Sequence, residues 1–411
     1  MKKIACSILF MFFCSGGFAQ AKDALSLKTA VDEVLDQAVT KQSIVGAVVM
    51  IAHDGNLVYR RAVGYADREA KIPTQENTIF RLASMSKPLV SIAALSLIDQ
   101  GKLHLDDPVT RWLPDFQPKL NENAAPPAIT IRQLLTHTAG LDYGLLEKAD
   151  GSYHRLGVSD GIDRVPFDLE ENLRRLAQAP LLYQPGTKWH YSLAIDVLGA
   201  IVAKASQSSL EEAVQTLVAR PLRMHDTSFT ATDRARLAVP YADNLPAPAR
   251  MTDPYVLPFP SGSAIIFSPS RVFDPAAYQS GGSGMVGTAN DYLQFLEAFR
   301  TGQQTVLTPQ THKQFAQNMT GEMLVDMAGE GWGFGLGVAV LKDPKPTGVP
   351  MHAGTWGWSV VYGSSFFVDP EARLSVVILT NTALAGMAGE FPDALRKAIY
   401  QSVILQSSKQ K

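Results

Sequence analysis

The sequence predicts an α+β protein in which one antiparallel sheet, flanked by helices, is assembled from both ends of the chain. Strand-like runs rich in valine, isoleucine and aromatic residues lie near both termini, and helical patterns fill most of the sequence between them. A single sheet with a mostly helical region inserted into it accounts for this order better than a row of independent domains.

The strands at each end are marked by turns. In "IVGAVVMIAHDGNLVYRRAVGYAD", residues 44–67, two β-rich runs meet at Asp54-Gly55, which is a strong hairpin signal. Near the C-terminus, "WSVVYGSSFFVDPEARLSVVILTNTA" indicates two further strands joined at residues 369–372. Helical patterns over residues 26–39 and 391–406 lie outside these strands, so each end of the chain supplies strands and a helix to cover them.

We predict that residues 22–105 and 276–411 form an α/β half that carries the sheet, and that residues 106–275 form the helical region. The last part of that region, residues 240–275, contains eight prolines. This density excludes a regular helix or a central strand. Because long irregular segments of compact proteins often wall a binding site, we expect this one at the rim of a pocket.

The composition is that of a globular protein with a sizeable core, since 46% of the 411 residues are hydrophobic and 18% are charged. A formal net charge of −2 and scattered basic residues give no electrostatic footprint for nucleic acid. The eight histidines show no zinc-site spacing. Residues 282–287 fit the dinucleotide-binding glycine pattern, but no predicted strand precedes them, so neither a metal nor a cofactor is expected.

The first 21 residues have the features of a secretory signal peptide. Lysines at positions 2 and 3 precede an apolar run to about residue 14, and Ala19-Gln20-Ala21 offers a cleavage site. The run is too short to span a membrane, and Phe13 is too large for a lipoprotein signal ending at Cys14. Cleavage would remove both cysteines. We therefore expect a periplasmic or secreted protein with no disulfide and no integral membrane segment.

The segment "FRLASMSKPL", residues 80–89, places Ser84 three positions before Lys87 at the start of a strongly apolar helix. Residues at i and i+3 lie on the same helix face, and free N–H groups at a helix N-terminus favour a developing anion. A partly buried lysine can lose its proton and help to activate a serine. By spacing alone the pair is a weak signal, and Ser408 and Lys411 make a second match in a polar tail.

A second segment, "YQPGTKWHYSLAIDVLGAIV", brings Tyr191 to the start of an apolar helix. Together with Ser84 and Lys87 it resembles the serine β-lactamase and penicillin-recognising superfamily, in particular the class C β-lactamases and the family VIII carboxylesterases. The resemblance extends over nearly the whole mature chain. It includes "ITIRQLLTHTAGL", "PGTKWHYS", "GGSGMVGTANDY", "GWGFGLGV" and "FFVDP", which are weak signals singly and a strong one in this order.

The resemblance implies a role for each matching residue. Ser84 would be the nucleophile that forms an acyl-enzyme, Lys87 would be hydrogen-bonded to it, and Tyr191 would take the place of the family's catalytic tyrosine. Either Lys87 or Tyr191 could act as the base. The backbone N–H groups of Ser84 and of the strand near residues 358–363 would hold the acyl carbonyl oxygen.

The sequence departs from the lactamases at two places. Where they have an asparagine two residues after the tyrosine, this chain has Leu193, and their Lys-Thr-Gly strand motif is missing. Either His352-Ala353-Gly354 or Trp358-Ser359-Val360 could take its place. A leucine cannot hydrogen-bond an amide, and loss of the strand lysine removes the cation that would pair with a β-lactam carboxylate. Both changes favour neutral, apolar acyl substrates, as in the family VIII esterases.

We therefore predict an exported serine hydrolase that cleaves short to medium acyl esters through an acyl-enzyme on Ser84. The alternatives within the same chemistry are a class C-like β-lactamase, a D-amino-acid peptidase and a DD-peptidase. A protein that binds cell-wall fragments on the same scaffold without catalysis is the alternative of a different kind. The expected partner is a small acyl substrate, and the sequence gives no indication of the oligomeric state.

Overall fold

The structure of the chain is a computed structural model that describes residues 16–259, 262–303, 306–348 and 350–407. The first 15 residues of the predicted signal peptide lie outside the described residues. Within the described ranges, no helix is long and apolar enough to cross a membrane.

The helices and strands are numbered in chain order. The α-helices are α1 Gly16–Thr40, α2 Ser86–Asp99, α3 Ile131–Leu135, α4 Ser152–Leu156, α5 Leu169–Leu176, α6 Ala194–Ser206, α7 Leu210–Val214, α8 Ala289–Thr301, α9 Pro309–Phe315, α10 Ala383–Met387 and α11 Glu390–Ser407. The strands are β1 Gly46–His53, β2 Asn56–Asp67, β3 Ile72–Pro73, β4 Phe80–Arg81, β5 Tyr241–Ala242, β6 Ala249–Arg250, β7 Tyr255–Pro258, β8 Ala264–Phe267, β9 Val286–Gly287, β10 Trp332–Phe334, β11 Ala339–Leu341, β12 Trp356–Ser359, β13 Ser365–Asp369 and β14 Leu374–Thr380.

One large antiparallel sheet joins the two ends of the chain. Its strand order is β10-β11-β12-β13-β14-β1-β2-β3. The junction is the pairing of β14 with β1, which runs from Ala47 opposite Thr380 to His53 opposite Leu374. The predicted fold class, an antiparallel sheet built from both chain ends and flanked by helices, is confirmed.

Both faces of the sheet are covered, and β1 shows why the sequence requires this. Alternate side chains of a strand point to opposite faces. Val48 and Met50 pack into the larger core with α2 and α8, whereas Val49 and Ile51 pack into a second core with α1 and α11. Because each side of β1 is apolar, exposing either face to water would destabilise the protein by about 1.5–3 kcal/mol per large side chain.

The predicted hairpin at Asp54-Gly55 is confirmed. Asp54 has φ +53° and Gly55 has φ +80°, and these two residues join β1 to β2. Positive φ at both central positions is the requirement of the tight turn that matches the twist of antiparallel strands. The second predicted turn is also present, between β13 and β14, where the Ala372 N–H donates to the Asp369 carboxylate at 2.9 Å.

The proline-rich segment contains more regular structure than the sequence predicts. Strands β5 and β6 pair with each other, and β7 pairs with β8, in two small ribbons outside the large sheet. Pro258 is the last residue of β7. A two-stranded ribbon has only edge strands, so a proline at such a position removes no essential hydrogen bond.

Asp369, at the end of β13, ties the sheet to the C-terminal helix. Its side chain is fully buried and accepts hydrogen bonds from the Tyr400 hydroxyl at 2.7 Å and from His352 Nδ1 at 2.9 Å. Burial opposes ionisation, but the hydrogen bonds from Ala372, Tyr400 and His352 prevail and lower the pKa of this carboxyl.

Replacing Tyr400 by phenylalanine should lower the free energy of unfolding by about 1.5–3 kcal/mol, the contribution of a hydrogen bond to a charged group. A carboxyl whose pKa is lowered by folding stabilises the protein above its unfolded pKa of about 3.9, and that contribution disappears as the pH falls and the group is protonated. The difference between the variant and the wild type should therefore shrink below about pH 4. Urea unfolding at pH 7 and pH 3.5 measures it.

Tyr65→Phe is the matched control, because Tyr65 is 40% exposed. An equal loss of stability in the two variants at pH 7 would show that Asp369 does not hold the helix.

Candidate active site

Ser84 lies in a single helical turn, Ala83–Met85, that leads directly into α2. From Ser86 to Leu97, every residue of α2 is buried. Ala83 has φ +42°, a left-handed conformation that is uncommon for residues with a side chain. Such strain persists only where the surrounding structure enforces it, and it often marks a functional position. In this chain the strained residue, Ala83, directly precedes Ser84.

Lys87 is 2% exposed and is surrounded by three oxygen atoms. Its Nζ lies 3.1 Å from Ser84 Oγ, 3.0 Å from the Tyr143 hydroxyl and 2.8 Å from the Gly282 carbonyl. An ammonium group has three hydrogens and each oxygen can accept one. A neutral amine instead donates to the carbonyl and to the tyrosine, which leaves its lone pair for the proton of Ser84. The same geometry therefore suits both protonation states.

The Gly282 carbonyl reaches Lys87 because two distant segments are bound together. Strand β4, just before Ser84, pairs with β9, and the Leu82 N–H donates to the Met285 carbonyl at 2.8 Å. In return, the Met285 N–H donates to the Ser86 hydroxyl at 3.0 Å. The glycine-rich segment before α8 is thus fixed against the start of α2, which accounts for its presence in the site.

Tyr143 and Tyr191 lie side by side, with ring centroids 5.3 Å apart. Their loops run together: the His190 N–H donates to the His137 carbonyl at 3.0 Å, and the Leu193 N–H donates to the Asp142 carbonyl at 3.1 Å. Burial, together with the neighbouring Asp196, raises the pKa of Tyr143 well above its ordinary value. Tyr143 is therefore a neutral hydroxyl that accepts the hydrogen bond of Lys87.

His137 supports Tyr191 from behind. It is fully buried, its ring centroid lies 4.9 Å from that of Tyr191, and its Nδ1 contacts Ser192 Oγ at 3.2 Å. Burial, the positive charge of Lys87 and the proximity of His190 hold the pKa of His137 well below its ordinary value. The imidazole is therefore neutral and packs as an aromatic side chain.

Trp358, on β12, closes the other side of Tyr191. Its Nε1 donates to the Tyr191 hydroxyl at 3.2 Å, and the two ring centroids are 5.1 Å apart. Lys87 Nζ lies 4.6 Å from the centroid of the Tyr191 ring. The structure thus brings Ser84, Lys87 and Tyr191 into one cluster, with Trp358 beside them.

A cavity of about 850 Å³ opens on this cluster. Ser84, Tyr143, Tyr191 and Trp358 line it, and its wall is otherwise largely apolar. Among the apolar lining residues are Leu145, Ile162, Phe259, Ile265 and Met327. Phe259 and Ile265 come from the β7–β8 ribbon, so the proline-rich segment supplies part of the wall.

The remaining sequence candidates lie elsewhere. His352, Gly354 and Leu193 are absent from the cavity wall. His352 is bound to Asp369 at the end of β13, and Leu193 is fully buried at the start of α6. Of the two stretches proposed to replace the lactamase strand motif, only Trp358-Ser359-Val360 contributes side chains to the cavity.

The sequence reasoning missed Tyr143. This residue follows "ITIRQLLTHTAGL" in an irregular loop, where neither helical nor strand periodicity marks a side chain. Its contact with Lys87 depends on tertiary packing, and no local spacing indicates it.

Across the described ranges, no group of three or more histidine, cysteine, aspartate or glutamate side chains is arranged to hold a metal ion.

Two known proteins are similar in sequence to most of this chain. Esterase EstB of Burkholderia gladioli is 52% identical over 380 residues, which cover 92% of this chain and 96% of that protein. Protein Rv1367c of Mycobacterium tuberculosis is 34% identical over 360 residues, covering 81% of this chain and 85% of its own length.

Among solved structures, EstCE1, described as a hydrolase with promiscuous acyltransferase activity, superimposes with a TM-score of 0.89 at 47% identity over 92% of this chain and 99% of its own. Unliganded simvastatin synthase LovD from Aspergillus terreus gives a TM-score of 0.70 at 22% identity, covering 93% and 99%, and shows a likeness of fold alone. The family model described as Beta-lactamase matches residues 31–400. The chain belongs to the Beta-lactamase family.

Proposed function

We propose that the chain is a serine hydrolase that cleaves carboxylic esters through an acyl-enzyme on Ser84. The observation that carries the proposal is the contact of 3.1 Å between Lys87 Nζ and Ser84 Oγ at the base of a largely apolar cavity. A serine hydroxyl is a weak nucleophile unless an adjacent base takes its proton. The similarity to esterase EstB and to the hydrolase EstCE1 supports the same reaction class.

In the first half of the reaction, Ser84 Oγ attacks the ester carbonyl carbon and its proton passes to Lys87, the group in contact with it. The tetrahedral intermediate then collapses, the bond to the alcohol oxygen breaks, and the alcohol leaves with a proton. We assign the delivery of that proton to Tyr191, which lines the cavity together with Ser84 and is left as a phenolate beside the ammonium of Lys87. The alcohol is released and the acyl group remains on Ser84 as an ester.

The negative charge on the former carbonyl oxygen needs hydrogen-bond donors. The backbone N–H of Ser84 and one from residues 358–363 are our candidates, because β12 lies against the helical turn that carries Ser84. In the second half of the reaction, water loses a proton to the Lys87 and Tyr191 pair and attacks the acyl carbon. Ser84 regains its proton and the carboxylic acid leaves.

The charges around the cavity favour a neutral ester over a β-lactam. Of the described side chains that line it, only Glu330 and Arg396 are charged, and Arg396 donates to Asp393 at 3.1 Å. No unpaired lining cation is therefore available, among these residues, for a β-lactam carboxylate. Leu193 also offers no hydrogen bond to an amide. We propose short to medium acyl groups, because the apolar wall is formed by side chains such as Ile162, Phe259 and Ile265.

Transfer of the acyl group to an alcohol is a second candidate activity. EstCE1 is described as having promiscuous acyltransferase activity, and it is 47% identical to this chain. An alcohol that enters the apolar cavity would replace water in the second half of the reaction, with the same bonds formed and broken at Ser84. Formation of an ethyl ester from a vinyl ester in the presence of ethanol tests this candidate.

We further propose that the protein is exported and that residues 1–21 are removed. The support is the sequence pattern of basic residues, apolar run and small residues at the cleavage site. N-terminal sequencing of the protein recovered from the periplasm or medium of a Gram-negative host should give Lys22 as the first residue. Recovery of the uncleaved chain from the cytoplasm alone would contradict export.

The purified mature protein should hydrolyse p-nitrophenyl esters of two to eight carbons, with turnover at least about tenfold faster than that of a chromogenic cephalosporin, since the cavity lacks the groups that bind a β-lactam. Steady-state kinetics on this panel measures the preference. Ser84→Ala is the control and should reduce turnover at least about a thousandfold, because it removes the nucleophile. Cephalosporin cleavage faster than butyrate cleavage would contradict the esterase assignment.

Tyr143→Phe should reduce kcat about ten- to a hundredfold with little change in KM. The variant keeps the ring but removes an acceptor of a hydrogen bond from a charged group, which contributes about 1.5–3 kcal/mol. Tyr400→Phe, which removes a hydroxyl in the second core and not in the core next to Ser84, is the matched control and should retain wild-type kcat. A Tyr143→Phe enzyme with unchanged kcat would show that Lys87 does not depend on this hydroxyl.

A further inference from the structure

Asp196 is a buried carboxylate next to the site, and the proposed reaction does not use it. It lies in the first turn of α6 and is 1% exposed. Its Oδ1 accepts a hydrogen bond from Ser280 Oγ at 2.6 Å, and the backbone N–H of Gly282 also stabilises the ionised carboxylate. Burying a carboxylate is costly even with these partners, so its position calls for an explanation.

Oδ2 of Asp196 points at Gly282, the residue whose carbonyl accepts the hydrogen bond of Lys87. A Cβ atom at position 282 would lie 2.4 Å from this Oδ2 and 2.9 Å from the Tyr143 hydroxyl. Both distances are shorter than atoms tolerate, so only glycine fits between the carboxylate and the tyrosine. Asp196 and Tyr143 thus flank Gly282 at one side, and Lys87 is bound to its carbonyl.

The segment that carries Gly282 is held against α6 by close backbone contact. A Cβ at Gly281 would lie 2.5 Å from the Ile195 carbonyl oxygen, and one at Gly199 would lie 3.5 Å from the Gly281 Cα. The hydroxyl of Ser280 is also bound to the Asp196 carboxylate. Asp196 therefore sets the position of this segment, and with it the position of the Gly282 carbonyl that faces Lys87.

Asp196 also affects the charge balance of the site. Lys87 forms no ion pair with any carboxylate of the described residues. Burial raises the pKa of Asp196, while the hydrogen bond from Ser280 and the positive charge of Lys87 oppose that rise. The other titratable groups around Asp196 are Tyr143, Tyr278, Arg271, Asp160 and Asp163.

The neighbouring carboxyl groups are poor substitutes for Asp196. Burial and the proximity of Asp163 raise the pKa of Asp160 to about 8, so Asp160 is mostly protonated at neutral pH. Asp160 also accepts the Gly144 N–H at 2.8 Å and so binds the loop that carries Tyr143. Burial raises the pKa of Asp163 as it does that of Asp196, but Asp163 receives the hydroxyl of Ser159, and the positive charge that acts on it is Arg271 and not Lys87.

We propose that Asp196 is a positioning residue for Lys87: bound to Ser280 and abutting Gly282, it fixes the carbonyl that orients the amine, and its negative charge stabilises the ammonium that forms when Ser84 gives up its proton. This inference rests on the proposed function of Lys87 as the proton acceptor. Ser280 acts with Asp196, because its hydroxyl fixes the carboxylate.

The test measures the rate at which a fluorophosphonate labels Ser84 between pH 5 and pH 10. In Asp196→Asn, which keeps the shape but removes the charge, the ammonium loses its stabilising neighbour. The acid limb of the profile should then move to lower pH by about one unit, and the rate at the alkaline plateau should fall about three- to tenfold because the amine becomes a weaker base. Asp291→Asn, at a buried carboxylate on α8, is the matched control and should leave the profile unchanged.

Ser280→Ala provides a second, milder variant in case Asp196→Asn does not fold. Loss of its hydrogen bond makes the carboxylate easier to protonate, so the acid limb should move in the same direction by a smaller amount. An Asp196→Asn profile that coincides with the wild type, or an unchanged Ser280→Ala profile when Asp196→Asn is unfolded, would overturn the inference.

The labelling assay also separates this inference from the proposed function. Labelling of Ser84 without turnover of any ester would contradict the assigned substrate class. The pH profile of labelling in Asp196→Asn would still decide the role of Asp196. A wild-type protein that is never labelled would overturn both proposals, because Ser84 would not be activated.

Discussion

The structure of this site depends on a buried lysine whose hydrogens all find acceptors. Transferring an amine from water into a protein interior is unfavourable unless its polar contacts are replaced. Around Lys87 they are replaced by Ser84, Tyr143 and Gly282, at 2.8 to 3.1 Å. These three oxygens belong to three separate segments, so the lysine requires that the start of α2, the loop before α4 and the segment before α8 all meet at one point.

The large sheet supplies the other side of the site. Strand β12 carries Trp358, whose indole N–H holds the Tyr191 hydroxyl, and it lies against the turn that bears Ser84. Because β12 belongs to the C-terminal strands and Ser84 follows the N-terminal ones, the pairing of β14 with β1 is what brings the two together. The strand pairing that completes the large sheet therefore also brings the two sides of the site together.

Much of this arrangement could be predicted from the sequence, and the exceptions have a physical pattern. The sheet and its turns follow from strand periodicity and from Asp54-Gly55, and the Ser84–Lys87 pair follows from helical spacing; both are local signals. Tyr191 was found only through a family resemblance. Tyr143 and Asp196 were missed because their contacts are with residues distant in the sequence, which no local spacing encodes. The division into an α/β half and a helical region of residues 106–275 stays a prediction.

The most direct test of this account is whether Ser84 is acylated and whether Lys87 makes that acylation fast. The protein is mixed with p-nitrophenyl butyrate, quenched with acid within the first turnover, digested and examined by mass spectrometry. We expect a butyryl group on the peptide that contains Ser84 in the wild type, and its accumulation at least about a hundredfold slower in Lys87→Ala. Acylation of another residue, or of Ser84 at the wild-type rate without Lys87, would contradict the account.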